Sequence, residues 1–93
     1  MRREFSTPLG VAVVRPGALR SARRLRRRPP RALLYIGTRE VDGVAAELWI
    51  DVDAWNAGRR LVIYARPLGG DAWYRLTEEH LILGGGERGA RAP

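Results

Sequence analysis

Cysteine and lysine are both missing from these 93 residues, histidine occurs once (His80), and serine only twice (Ser6 and Ser21). Each gap removes a class of chemistry. Without cysteine there are no disulfides and no thiolate metal sites, and nothing indicates a redox compartment. Without lysine there is no GxxxxGK[ST] phosphate loop and no Schiff-base nucleophile. One imidazole falls short of the three or four nitrogen and sulfur ligands usual for zinc. A serine triad would need Ser6 or Ser21 to reach His80, from a loose leader or an Arg-crowded segment. These gaps predict a binding module with no catalytic residues, no metal, no cofactor and no small-molecule substrate.

Long apolar runs are missing as well. None approaches the ~18 residues of a membrane-spanning helix. Val11–Val14 is too brief for the core of a secretory signal and lies between Pro8 and Pro16. The Arg-rich, acid-poor start has the composition of a mitochondrial transit peptide, but the two prolines spoil its helix. A cytoplasmic protein without membrane contact is the expectation.

What the chain has in abundance is arginine, which supplies all 17 basic residues. Codon bias explains arginine in place of lysine, but it does not explain where the arginines lie. Residues 1–31 hold ten Arg and one acid (Glu4), a net of +9, whereas residues 32–93 hold seven Arg and nine acids, a net of −2. Such a split places a polyanion-binding segment on a near-neutral body. The densest stretch holds Arg20, Arg23, Arg24, Arg26, Arg27 and Arg28, and Arg31 follows the Pro29–Pro30 pair.

The body has the composition and patterning of a small β-rich domain. Leu9–Arg15 is short and β-branched and ends at the Pro16–Gly17 turn signal. Ala32–Gly37 is a second strand. Asp42–Gly43 is a strong two-residue hairpin signal. Behind it Val44, Ala46, Leu48, Ile50 and Val52 alternate with Ala45, Glu47, Trp49, Asp51 and Asp53, as in a half-buried antiparallel strand. Arg60–Arg66 and Ala72–Leu76 are further strands, and Leu81–Leu83 is a short closing one. Thr77 is placed to cap a turn over Glu78, Glu79 and His80. The fold expectation is mainly β: a single small antiparallel sheet or barrel of five to six short strands, SH3-like or OB-like, or an open sheet with one helix. Residues 1–7 are expected to be a flexible leader, 8–83 one domain, and 84–93 a disordered Gly-rich tail.

Between the first two strands, Ala18–Arg28 consists of good helix formers closed by the proline pair. As a helix it would put Arg20, Arg23, Arg24 and Arg27 on one face. Eleven residues are marginal for an isolated helix, and like charges at i, i+4 weaken it, so an arm ordered against the body or a partner is the alternative.

Three readings of different class follow. The first is a nucleic-acid-binding module, for DNA or RNA, that grips the phosphate backbone through Arg20, Arg23, Arg24, Arg26, Arg27, Arg28 and Arg31. A segment without Asn or Gln has few means of reading adenine, so sequence specificity is expected to be low. The second is a protein-interaction domain, such as a phage- or plasmid-type inhibitor or an assembly factor, docking on an acidic protein surface. The third is a metal-free ribonuclease or toxin-like enzyme built on Tyr74, Arg75, Glu78, Glu79 and His80. Against it stands a plainer account, in which the acids and His80 decorate an exposed turn while Tyr74 packs inward. Two more features have competing explanations. Trp49, on the polar face of its strand, is either a stacking platform for bases or the centre of a second small core covered by the Arg segment or the N-terminal arm. Glu47, Asp51 and Asp53 are available to pair with the Arg segment internally.

Overall fold

A computed structural model describes residues 1–84 and contains eight strands in two antiparallel sheets. The strands are β1 (Phe5–Thr7), β2 (Gly10–Val14), β3 (Arg23–Leu25), β4 (Leu33–Val41), β5 (Val44–Asp51), β6 (Ile63–Pro67), β7 (Trp73–Leu76) and β8 (Leu81–Leu83). Two short helices, α1 (Ala18–Ser21) and α2 (Val52–Gly58), and a 3₁₀ turn over Glu78–His80 complete the described elements. The small sheet runs β1-β2-β8 and the large one β3-β7-β6-β5-β4. The mainly β expectation holds. The single sheet does not, and among the described residues there is no closed barrel, because β3 and β4 are the two outer strands of the large sheet.

The first core lies between the sheets. Phe5, Ala12 and Leu81 from the small sheet meet Leu48, Ile63 and Leu76 from the large one, and all six are buried. Phe5 explains why the leader is not loose: the only phenylalanine of the chain buries to 2% exposure and orders β1 around it. Hydrogen bonds from Glu40 N to the Arg2 carbonyl (2.8 Å) and from Arg39 Nε to the Glu4 carbonyl (2.7 Å) tie the same arm to β4. Most of the expected tail, 85–93, lies outside the described residues.

The β4–β5 hairpin follows its sequence signals closely. Asp42 and Gly43 both adopt positive φ (53° and 80°), as a two-residue turn of matching twist requires. A bulge between Tyr35 and Gly37 keeps each half of β4 in phase with β5. Gly37 sits at φ 124°, a conformation that side chains rarely adopt, and a Cβ there would also displace the Arg39 guanidinium.

β5 ends at Asp51, two residues before its alternating pattern does. The Asp51 carboxylate accepts a hydrogen bond from Ala54 N (2.9 Å), so it caps α2 and turns Val52 and Asp53 from strand into helix. The next strand also starts later than its composition suggests, at Ile63, with Leu61 and Val62 buried ahead of it. No helix among the described residues is long and apolar enough to cross a membrane.

The other face of the large sheet carries a second core. Ala54, Val62, Tyr64 and Trp73 are buried there, with Leu25, Leu33 and Trp49 packed against them. Tilted contacts join Trp49 to Tyr35 (centroids 5.0 Å apart) and to Trp73 (6.3 Å). The central sheet is thus covered on both sides, by the small sheet on one and by a thinner aromatic layer on the other.

Candidate functional site

The Arg-rich segment is not a helix along its length. Only Ala18–Ser21 is helical, a single turn that follows Gly17 at φ 81°. It is held from outside: the Asp42 carboxylate accepts from Gly17 N (2.6 Å) and Leu19 N (3.1 Å). Ala22 is extended, and Arg23–Leu25 joins β7 as an outer strand. Arg20, Arg23, Arg24 and Arg27 therefore share no helical face. Six guanidiniums in ten residues repel at helical spacing, whereas an extended chain spreads them apart and gains ladder hydrogen bonds from β7.

β3 and β4 lie at opposite edges of the large sheet, so residues 26–32 must cross one of its faces. Five observations identify the face as the aromatic one. Leu25 before the crossing and Leu33 after it both pack on the Val62–Tyr64–Trp73 cluster. Pro29 is fully buried. Arg31 Nε meets the Asp51 carboxylate at 2.5 Å. Ala32 N donates to Asp53 (3.3 Å), and Val52 N donates to the Ala32 carbonyl (3.0 Å). The segment is a strap, with Leu25, Pro29 and Leu33 facing the aromatic layer and Arg26, Arg27 and Arg28 exposed. Two consecutive prolines suit such a crossing, since each lacks an N–H that would otherwise need a partner off the sheet.

Arg20, Arg23, Arg24, Arg26, Arg27, Arg28 and Arg31 are all exposed. Their electrostatic situations differ. Arg31 is engaged, and the Asp51 carboxylate holds its guanidinium above the ordinary arginine value, first through their hydrogen bond and then through charge. Arg66 pairs with Glu47 at 3.3 Å. No other ion pair occurs among the described residues, so the remaining six arginines of the segment have no carboxylate partner there. Internal neutralisation by the acidic strand thus reaches Arg31 alone. Residues 23–30 border an open cleft of about 640 Å³.

The sheet adds a residue that the charge run does not reveal. Arg23 lies directly opposite Arg75 in the β3–β7 ladder, so both project from the aromatic face. Like charges in that position repel, and an anion between them relieves the repulsion. Arg75 also lines a second cleft of about 400 Å³ with Arg60, Thr77, Glu78 and Glu79. Its position is visible only once β3 is known to pair with β7.

The His80 cluster is arranged differently from the ribonuclease expectation. His80 is buried, and its Nδ1 accepts from Thr77 N at 3.0 Å, which places the ring hydrogen of the neutral side chain on Nε2. Glu78 and Glu79 are exposed. Tyr74 packs against the first core while its neighbour Arg75 takes the opposite face, so the two do not converge. His80 is thus part of the turn's capping and not of its exposed surface. Trp49 is half-buried in the second core and donates through Nε1 to Glu47 (3.3 Å). No known protein family, no curated protein and no solved structure matches this chain.

Proposed function

We propose that the protein binds nucleic acid through the sugar–phosphate backbone, with Arg20, Arg23, Arg24, Arg26, Arg27, Arg28 and Arg75 as the phosphate contacts. The observation behind this reading is that the chain's densest positive charge is displayed on an anchored strap without carboxylate partners among the described residues. Guanidinium groups donate bidentately to phosphate and are less strongly hydrated than ammonium groups, which favours such contacts. Arg31, engaged by Asp51, positions the strap and is not counted among the contacts. Discrimination between sequences is weak, because the strap offers charge and no amide side chains for base edges.

A second reading has one observation in its favour. The outer edge of β3 is unpaired, and it carries Arg23 and Arg24. An extended acidic peptide adding to this edge would satisfy the ladder and meet the charge together.

Fluorescence anisotropy with a labelled oligonucleotide separates the two. Replacing Arg26, Arg27 and Arg28 by Ala is expected to weaken binding at least about tenfold at low salt, since each lost phosphate contact removes counterion release. Equal binding by wild type and variant contradicts the proposal. Tight binding to an acidic peptide, with none to nucleic acid, establishes the second reading instead.

A further inference from the structure

We infer that the nucleic acid recognised is single-stranded, and that Tyr35, backed by Trp49, is the surface on which one of its bases stacks. This rests on the backbone-binding reading above and adds the strandedness of the target. The ladder register places Tyr35, Trp49, Tyr64, Arg75 and Arg23 in one row across the aromatic face of the large sheet. Tyr64, in the middle, is buried, and the ends of the row emerge at the two edges. One end is cationic and the other aromatic. Five strands at ~4.8 Å spacing separate them by about 19 Å, the length of roughly six nucleotides at a stacked rise of ~3.4 Å.

Tyr35 is suited to stacking by exposure and by restraint. It is 48% exposed, so part of the ring is open to solvent. Its hydroxyl is hydrogen-bonded to Thr38 Oγ1 (2.6 Å), and the Trp49 ring supports it from the strand behind. A ring held in place loses little further conformational freedom when a base settles on it. Duplex bases are already stacked on each other and present only their edges, so an exposed aromatic selects bases that are free.

Two of the acids near this platform are engaged and so repel phosphate less. Glu47 is paired with Arg66 and receives the Trp49 Nε1 hydrogen bond. Asp51 is paired with Arg31, two residues along β5 from Trp49, about 7 Å of strand. A strand of nucleic acid leaving the strap at Arg31 therefore arrives beside Tyr35 without crossing an unpaired carboxylate of β5.

The test compares wild type, Tyr35→Phe, Tyr35→Leu and Tyr35→Ala on a labelled single strand and on a hairpin duplex of the same length. Tyr35→Phe keeps the ring, Tyr35→Leu keeps apolar bulk without a π-face, and circular dichroism confirms the fold of each. Wild type and Tyr35→Phe are expected to prefer the single strand. Tyr35→Leu and Tyr35→Ala are expected to lose about tenfold on the single strand and less than twofold on the duplex, as removal of one stacked base predicts. The salt dependence stays unchanged, and quenching of tryptophan fluorescence by the single strand is reduced. Equal single-strand affinity in all four, with binding still abolished by replacing Arg26, Arg27 and Arg28, overturns the stacking inference and leaves backbone binding standing. Absence of any nucleic-acid binding by wild type overturns both. A Tyr35→Ala protein that changes only in concentration-dependent mass shows that the exposed Leu34–Tyr35 edge joins two copies of the chain, and overturns the inference as well.

Discussion

At the scale of single residues, Asp51 does the most varied work in the molecule. It ends β5, caps α2 through Ala54 N, and holds Arg31 at the far end of the strap, while only 2% exposed. Replacing it with Ala removes the cap and leaves a buried N–H without its acceptor. The expected loss is about 1–2 kcal/mol of unfolding free energy in urea titration, within the range of cap deletions. A loss below about 0.5 kcal/mol would mean that backbone or solvent replaces the carboxylate. The ion pair itself is insensitive to pH on the arginine side. A cation whose pKa rises on folding contributes its stability fully below the unfolded value and loses it only above the folded one, here beyond the neutral range.

At the scale of elements, the local hairpin signals were legible in sequence, and of the two forms expected of the Arg segment, a helix or an arm ordered against the body, the extended arm is present. The alternation from Val44 to Ile50 and the Asp42–Gly43 turn are local signals, and the hairpin they describe is present. The helix expected over Ala18–Arg28 rested on local signals too, the propensities of Arg, Ala and Leu. It lost to partners distant in sequence: β7, which pairs with Arg23–Leu25, and the aromatic cluster, which takes in Leu25 and Leu33. Trp49 was half legible. Its face was assigned correctly, but its burial depends on Tyr35, Trp73 and the crossing segment, none of which is adjacent in sequence. Leu25 anchors the strap, so Leu25→Ala is expected to destabilise by about 1–2 kcal/mol, the loss for a half-buried leucine. Under the proposed function, the same change is expected to weaken nucleic-acid binding by loosening the arginines. An unchanged midpoint in thermal or urea unfolding would show that Leu25 does not hold the segment down.

At the scale of the whole molecule, charge divides the chain at residue 31 but the sheets do not, since residues 1–31 supply β1 and β2 of the small sheet and β3 of the large one. The net +9 of residues 1–31 was readable from composition, and so was its separateness from a slightly acidic body. Less readable was how the two connect. The strap completes the second core, so its exposed arginines and its structural role occupy opposite sides of one segment. The second sheet also escaped sequence reading, because β1, β2 and β8 have three to five residues each and come from both ends of the described chain. The proposed phosphate binding has a distinctive thermodynamic sign, because each neutralised phosphate releases counterions. Seven contacts predict a slope of log affinity against log salt of about −6 on duplex DNA and about −5 on a single strand. The most direct test of the account is that slope, measured between about 50 and 200 mM salt for wild type and for the protein with Arg26, Arg27 and Arg28 replaced by Ala. The account predicts a steep wild-type slope that falls in the variant by about three on a duplex and about two on a single strand; a shallow slope, or the same slope in both proteins, contradicts it.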